Sequence, residues 1–182
     1  MRRKVILLVG LIGLVFGAIS FVTGMAAGRR SVTAAASSDS RGDLAPDFEL
    51  KVLQGEGKTL RLSDLRGKAV LLVFWAPWSN PSKTELEFYS ATQRQYASSG
   101  LQVVAIALDD SSEETIIKFA KRLHASYPIL LGTGSVMDHY QVEKLPASIF
   151  IDREGHIIAR ESGLASTATI TSNIRKALSE GK

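Results

Sequence analysis

The 182-residue chain reads as an α/β domain, a central mixed β-sheet flanked by helices, preceded by one N-terminal transmembrane helix. Three observations predict this. Residues 69–75 (AVLLVFW) and 101–108 (LQVVAIAL) are almost continuously apolar, as strands buried on both faces of a sheet are. Segments with helix-start and helix-stop chemistry follow each of them. Residues 5–27 are free of charge over 23 positions, about 34 Å of helix against a hydrocarbon core of about 30 Å.

The N-terminal part divides into a cytoplasmic head (1–4), a transmembrane signal-anchor (5–27) and a flexible Ser/Ala/Thr-rich linker (28–42), ahead of the globular domain (43–182). The apolar run exceeds the 7–15 residues of a typical cleavable signal peptide. Arg29 and Arg30 also separate it from the small-residue stretch at 33–36, so an uncleaved anchor is expected. Arg2, Arg3 and Lys4 favour a cytoplasmic N-terminus and put the domain outside the cytoplasmic membrane. Glycines 13, 17, 24 and 28 have the spacing of small-residue helix contacts, although such glycines are common in spans.

Charge follows the same division. Residues 1–42 hold six basic residues and one acid, whereas 43–182 hold 16 basic and 17 acidic residues, so the pI near 9.4 belongs to the membrane-flanking part. The domain has no basic stripe for a phosphate backbone, and no nucleic-acid partner is expected. There is no cysteine, which excludes disulfides, thiolate catalysis and Cys-ligated zinc.

Along the domain, a helix is expected over 81–97: proline sits early, Ser82 and Glu85 have capping-box spacing, and Gly100 lies just past the end. A second is expected over 113–124 after the Asp109-Asp110-Ser111-Ser112 cluster, with apolar residues at Ile116, Ile117, Phe119, Ala120 and Leu123. Residues 148–152 and 156–160 flank Arg153-Glu154-Gly155 as a hairpin, and 169–178 closes the chain as a helix. The order strand, helix, strand, helix, hairpin, helix gives a sheet with a parallel pair and an antiparallel edge.

The stretch VFWAPWSNPS (73–82) runs from a buried strand into a helix start. With Ala45-Pro46-Asp47-Phe48, the Leu62–Lys68 segment LSDLRGK, and Leu145-Pro146 followed by SIFID-x-x-G, it resembles the thioredoxin superfamily, specifically the membrane-anchored TlpA/ResA-like thiol-disulfide oxidoreductases. The resemblance covers residues 43–180. It implies a thioredoxin-like fold and a W-A-x-W-C-x-P-C site in which a helix-start thiolate attacks a disulfide and a second cysteine resolves it. The two cysteine positions are Ser79 and Ser82 here. A seryl hydroxyl forms no disulfide, and no neighbouring base activates it, so both are expected to be inert in exchange, with Ser79 read as a helix N-cap. The resemblance further implies a cis bond before Pro146, with peptide bound across Trp78, Pro81, Leu145 and Pro146 by strand addition. It also implies an acidic residue near the site, best matched by Asp110, for which helix capping is the simpler role.

Three functions follow in order of preference. The first is a redox-inactive extracytoplasmic protein that binds extended or unfolded polypeptide, or an envelope protein, as a scaffold. The second is a thiol-disulfide reductase of envelope disulfides or cytochrome c maturation, in a Cys-to-Ser form. The third is a peroxiredoxin-like antioxidant, suggested by the lead-in motifs. No cofactor and no metal are expected: His124, His139 and His156 have no ligand spacing, and Gly132-Thr133-Gly134 reads as a turn rather than a phosphate loop. The lipid bilayer is the remaining partner, through residues 5–27.

Overall fold

The run of apolar residues at Ala69–Trp75 forms β3, and every one of its seven side chains is buried. A strand with no polar face must be covered on both sides, and the rest of the domain supplies the two covers. The computed structural model describes residues 42–109 and 112–181. The strands are β1 (Glu49–Gln54), β2 (Thr59–Arg61), β3, β4 (Leu101–Ala107), β5 (Ile129–Leu131), β6 (Ala147–Ile151) and β7 (Ile157–Ser162). The helices are α1 (Asn80–Tyr96), α2 (Glu113–Arg122), α3 (Gly134–His139) and α4 (Thr167–Ser179). One mixed sheet runs in the order β2-β1-β5-β4-β3-β6-β7. β3 pairs in parallel with β4 and antiparallel with β6.

Alternate side chains of β3 enter two separate cores. Leu71, Val73 and Trp75 pack with Leu86 and Tyr89 of α1, Ile116 and Phe119 of α2, and Ile170 and Ile174 of α4. Val70, Leu72 and Phe74 pack with Val136 of α3, Tyr140, and Phe48, Leu50 and Leu62 of the lead-in. The lead-in is fixed by Tyr140, whose hydroxyl donates to the Pro46 carbonyl at 2.7 Å while its ring meets Phe48 and Phe74.

The expected strands and helices are present, with three differences. α2 stops at Arg122 rather than 124, because His124 turns to φ 51°. Its cap is Ser112, which accepts from the Thr115 N–H. β1, β2, β5 and α3 were not legible. β1 buries only Leu50 of its six residues, β2 buries none of its three, and β5 has only three residues. The turn expected at 132–134 is the start of α3, with the Thr133 side chain accepting from the Val136 N–H. Gly132 is required there: a Cβ would lie 2.8 Å from the Ala107 carbonyl and 2.6 Å from Leu108. The anchor, the linker and their glycines lie outside the described residues. Among the described residues, no helix is long and apolar enough to cross a membrane.

The hairpin between β6 and β7 owes its shape to Asp152. Its buried Oδ1 accepts from the backbone N–H groups of Glu154, Gly155 and His156 at 2.9, 2.7 and 2.9 Å. The next residue, Arg153, spreads its guanidinium over three carbonyls: Gly67 at 3.0 Å, Ser99 at 2.7 Å and Leu178 at 3.5 Å. One side chain thus joins the entrances of β3 and β4 to the end of α4. Arg153→Met should lower stability by about 2 kcal/mol in urea unfolding, since it keeps the stem and removes charge-assisted donors. Arg153→Lys should recover less than half of that, because a single ammonium does not match the planar fork.

Candidate functional site

The opposite end of the sheet, where β3 and β4 terminate and β6 begins, gathers most of the residues singled out from the sequence. α1 starts there because Ser79 has extended backbone and its Oγ accepts from the Ser82 N–H at 3.4 Å. Pro81 occupies the second helical position, where its missing N–H costs nothing. No acidic residue lies in the first turn. The capping box expected from Ser82 and Glu85 is not formed: Ser79 is the cap, one turn earlier, and α1 begins at Asn80 rather than 81.

Ser79 and Ser82 are both buried, 5% and 0% exposed. The Ser82 hydroxyl has no hydrogen-bond partner among the described residues. A hydroxyl in that position loses water and gains nothing in return, whereas a thiol behaves as a small hydrophobe and tolerates it. Trp75, just before the turn, is fully buried and stacks on Phe119 with ring centroids 5.3 Å apart. Lys83 and Arg122 lie over the Phe119 ring at 5.7 and 5.4 Å. Trp78 does the opposite and stands 69% exposed.

The Leu145-Pro146 bond is cis. Pro146 is buried, and its carbonyl accepts from the Gly163 N–H at 2.7 Å. The backbone N–H and C=O of Leu145 make no hydrogen bond among the described residues. Leu145 and Trp78 line one groove of about 640 Å³, together with Leu108, Met137 and Val142. Pro81 and Pro146 do not line it. Exposed Leu164 follows Gly163, so three of the four large exposed apolar side chains among the described residues (Trp78, Met137 and Leu164) sit at this end. Asp110 lies outside the described residues. Asp138 and His139 are exposed on α3, as a surface pair.

Glu85 is the residue that sequence reasoning misplaced. It is 2% exposed and points inward from α1. Its Oε1 accepts from the Ala165 N–H at 2.9 Å; its Oε2 accepts from the Tyr89 hydroxyl at 3.2 Å and the Ser148 hydroxyl at 3.5 Å. Tyr89 and Ser148 are themselves 2.8 Å apart. The carboxyl therefore ties α1 to β6, two residues past the cis bond, and to the loop after β7. Loss of hydration raises its pKa above the ordinary 4.5, and the Ala165, Tyr89 and Ser148 donors only partly oppose this. Tyr89 is pushed far up by burial and by the neighbouring carboxyl. Among the described residues, no group of three acidic, His or Cys side chains is placed to hold a metal ion.

Two outcomes follow from this geometry. Ser82→Cys should stabilise the fold by about 1 kcal/mol in urea unfolding, as a buried unpaired hydroxyl gives way to a thiol. Glu85 has a folded pKa above its unfolded one, so its contribution is complete below about pH 4.5 and is lost as pH rises through the folded value. Glu85→Gln keeps the acceptor for Ala165 and removes the charge. Its melting temperature relative to the parent should climb as pH rises above about 4.5 and level off once the buried carboxyl of the parent is ionised.

Comparison with known proteins agrees with this architecture. Residues 41–160 match the AhpC/TSA family. Thiol-disulfide oxidoreductase ResA of Bacillus subtilis is 33% identical over 141 residues, 77% of this chain and 77% of that protein. ResA of Oceanobacillus iheyensis is 36% identical over 119 residues, 64% of this chain and 62% of that protein. Among solved structures, a thioredoxin-family thiol:disulfide interchange protein from Chlorobium tepidum superposes with a TM-score of 0.69 at 25% identity, covering 78% of this chain and 99% of that one. The exposed lipoprotein thioredoxin Etrx1 of Streptococcus pneumoniae gives 0.63 at 28% identity, covering 72% and 99%. The fold is thioredoxin-like, and the chain belongs to the AhpC/TSA family as a ResA-like relative of the thiol-disulfide oxidoreductases that contains no cysteine.

Proposed function

We propose that this chain is a membrane-anchored, extracytoplasmic thioredoxin-like protein that binds extended polypeptide without exchanging electrons with it. The observation that carries the reading is the Leu145 backbone, unpaired among the described residues, next to a cis-proline and inside an apolar groove flanked by Trp78. A free N–H and C=O at a strand start is what an added strand pairs with, and the groove offers a seat for one of its side chains. Ser79 and Ser82 stand where the family's redox cysteines are expected, and neither supplies a thiolate. The anchor at 5–27, with the N-terminus inside, is supported by its uncharged length and by the cations flanking it.

A second reading, a disulfide reductase in Cys-to-Ser form, is favoured by one observation: the Ser82 hydroxyl is fully buried with no hydrogen-bond partner among the described residues, a position that suits sulfur. The two readings separate experimentally. The chain as it stands should reduce insulin no faster than background while binding an unfolded, cysteine-free polypeptide, and Trp78→Ala should weaken that binding about tenfold. Absence of binding removes the first reading. Turnover regained by Ser79→Cys with Ser82→Cys supports the second.

A further inference from the structure

The groove beside Trp78 has a charge asymmetry that specifies its occupant more closely. Its floor is apolar, but its rim carries two exposed carboxylates, Asp138 from α3 and Glu143 from the segment leading to the cis-proline. Neither is paired with a cation among the described residues. One cation, Lys144, also lines the groove, and its Cε and Nζ lie 3.3 and 3.4 Å from where a Cβ on Gly163 would stand. The cations on the other side of α1, Lys83 and Arg122, are drawn over the Phe119 ring. The groove therefore presents apolar surface edged by two carboxylates against one ammonium, a net negative rim.

We infer that the polypeptide taken by this groove is an extended segment with apolar side chains at its centre and lysine or arginine beside them. This rests on the polypeptide-binding reading and names the class of segment bound. The apolar side chains lie along Trp78, Leu108 and Val142, with Leu145 supplying backbone pairing. The flanking cations face Asp138 and Glu143. Each exposed pair contributes little alone, but the same two carboxylates repel an acidic segment, so the contrast between basic and acidic partners is larger than either effect.

The test uses the full chain in nanodiscs of zwitterionic lipid, with empty discs subtracted. Two cysteine-free peptides share a Val-Leu-Phe-Val core and carry two lysines or two glutamates at each end. Trp78 fluorescence reads occupancy, because Trp75 is buried and stays constant. At low salt the lysine-flanked peptide should bind about tenfold tighter, and about 0.5 M salt should narrow the gap to less than threefold. Asp138→Asn with Glu143→Gln should bring the two peptides within twofold while leaving the chain folded, since both side chains are exposed. Equal binding by the parent chain, or preference for the glutamate peptide, overturns the charge inference and leaves the polypeptide-binding reading intact. Failure of both peptides to bind overturns both. A preference that survives the double substitution overturns the assignment to these two carboxylates.

Discussion

Everything in this domain depends on β3 being apolar on both faces. A strand with seven buried side chains has no solvent side, so helices and the lead-in must cover it from each direction. That requirement fixes β4 and β6 as its neighbours and leaves the partly exposed strands β2 and β7 to the edges. It also fixes where chemistry can occur. The chain leaves β3 at Trp75, crosses four residues and enters α1, so the helix start and the first residues of β6 converge at one end of the sheet.

The two ends of the sheet are built for different purposes. At the entrance of β3, Arg153 and Asp152 satisfy six backbone groups between them and hold strand starts, a hairpin and a helix end together. The exit gathers most of the large exposed apolar side chains among the described residues, Trp78 foremost. Among the described residues, Trp75 Nε1, the Ser82 hydroxyl and the Leu145 backbone there have no hydrogen-bond partner. A buried unpaired group costs stability, and a fold tolerates such costs where the surface has a use. Between the ends, Glu85 joins α1, β6 and the loop before α4 through a carboxyl with a raised proton affinity.

The parts of this architecture that were legible in the sequence are those set by local chemistry. Continuous apolar runs identified β3 and β4, and two short apolar runs flanking Arg153-Glu154-Gly155 identified the hairpin, whose turn the Asp152 carboxylate then fixes through three N–H groups. Tertiary context decided the rest. Ser82 followed three residues later by glutamate has the pattern of a capping box, yet Ser79 is equally suited to cap. Which serine wins depends on where the turn after Trp75 ends, and that is set by packing. Once Ser79 caps, Glu85 rotates inward, and its buried bonds to Ala165, Tyr89 and Ser148 involve partners as far as 80 residues away. β1, β2 and α3 escaped detection for a related reason: they are short and owe their regularity to neighbours rather than to their own periodicity.

The pair of serines at the start of α1 has a consequence outside binding and catalysis. A site made of two thiols exists in two covalent forms, and the balance between them follows the electrochemical potential of its surroundings. Ser79 and Ser82 have one form only. The surface around Trp78 and Leu145 therefore keeps the same bonds under oxidants and reductants alike, a fixed fitting in an environment where related proteins are set by the prevailing potential.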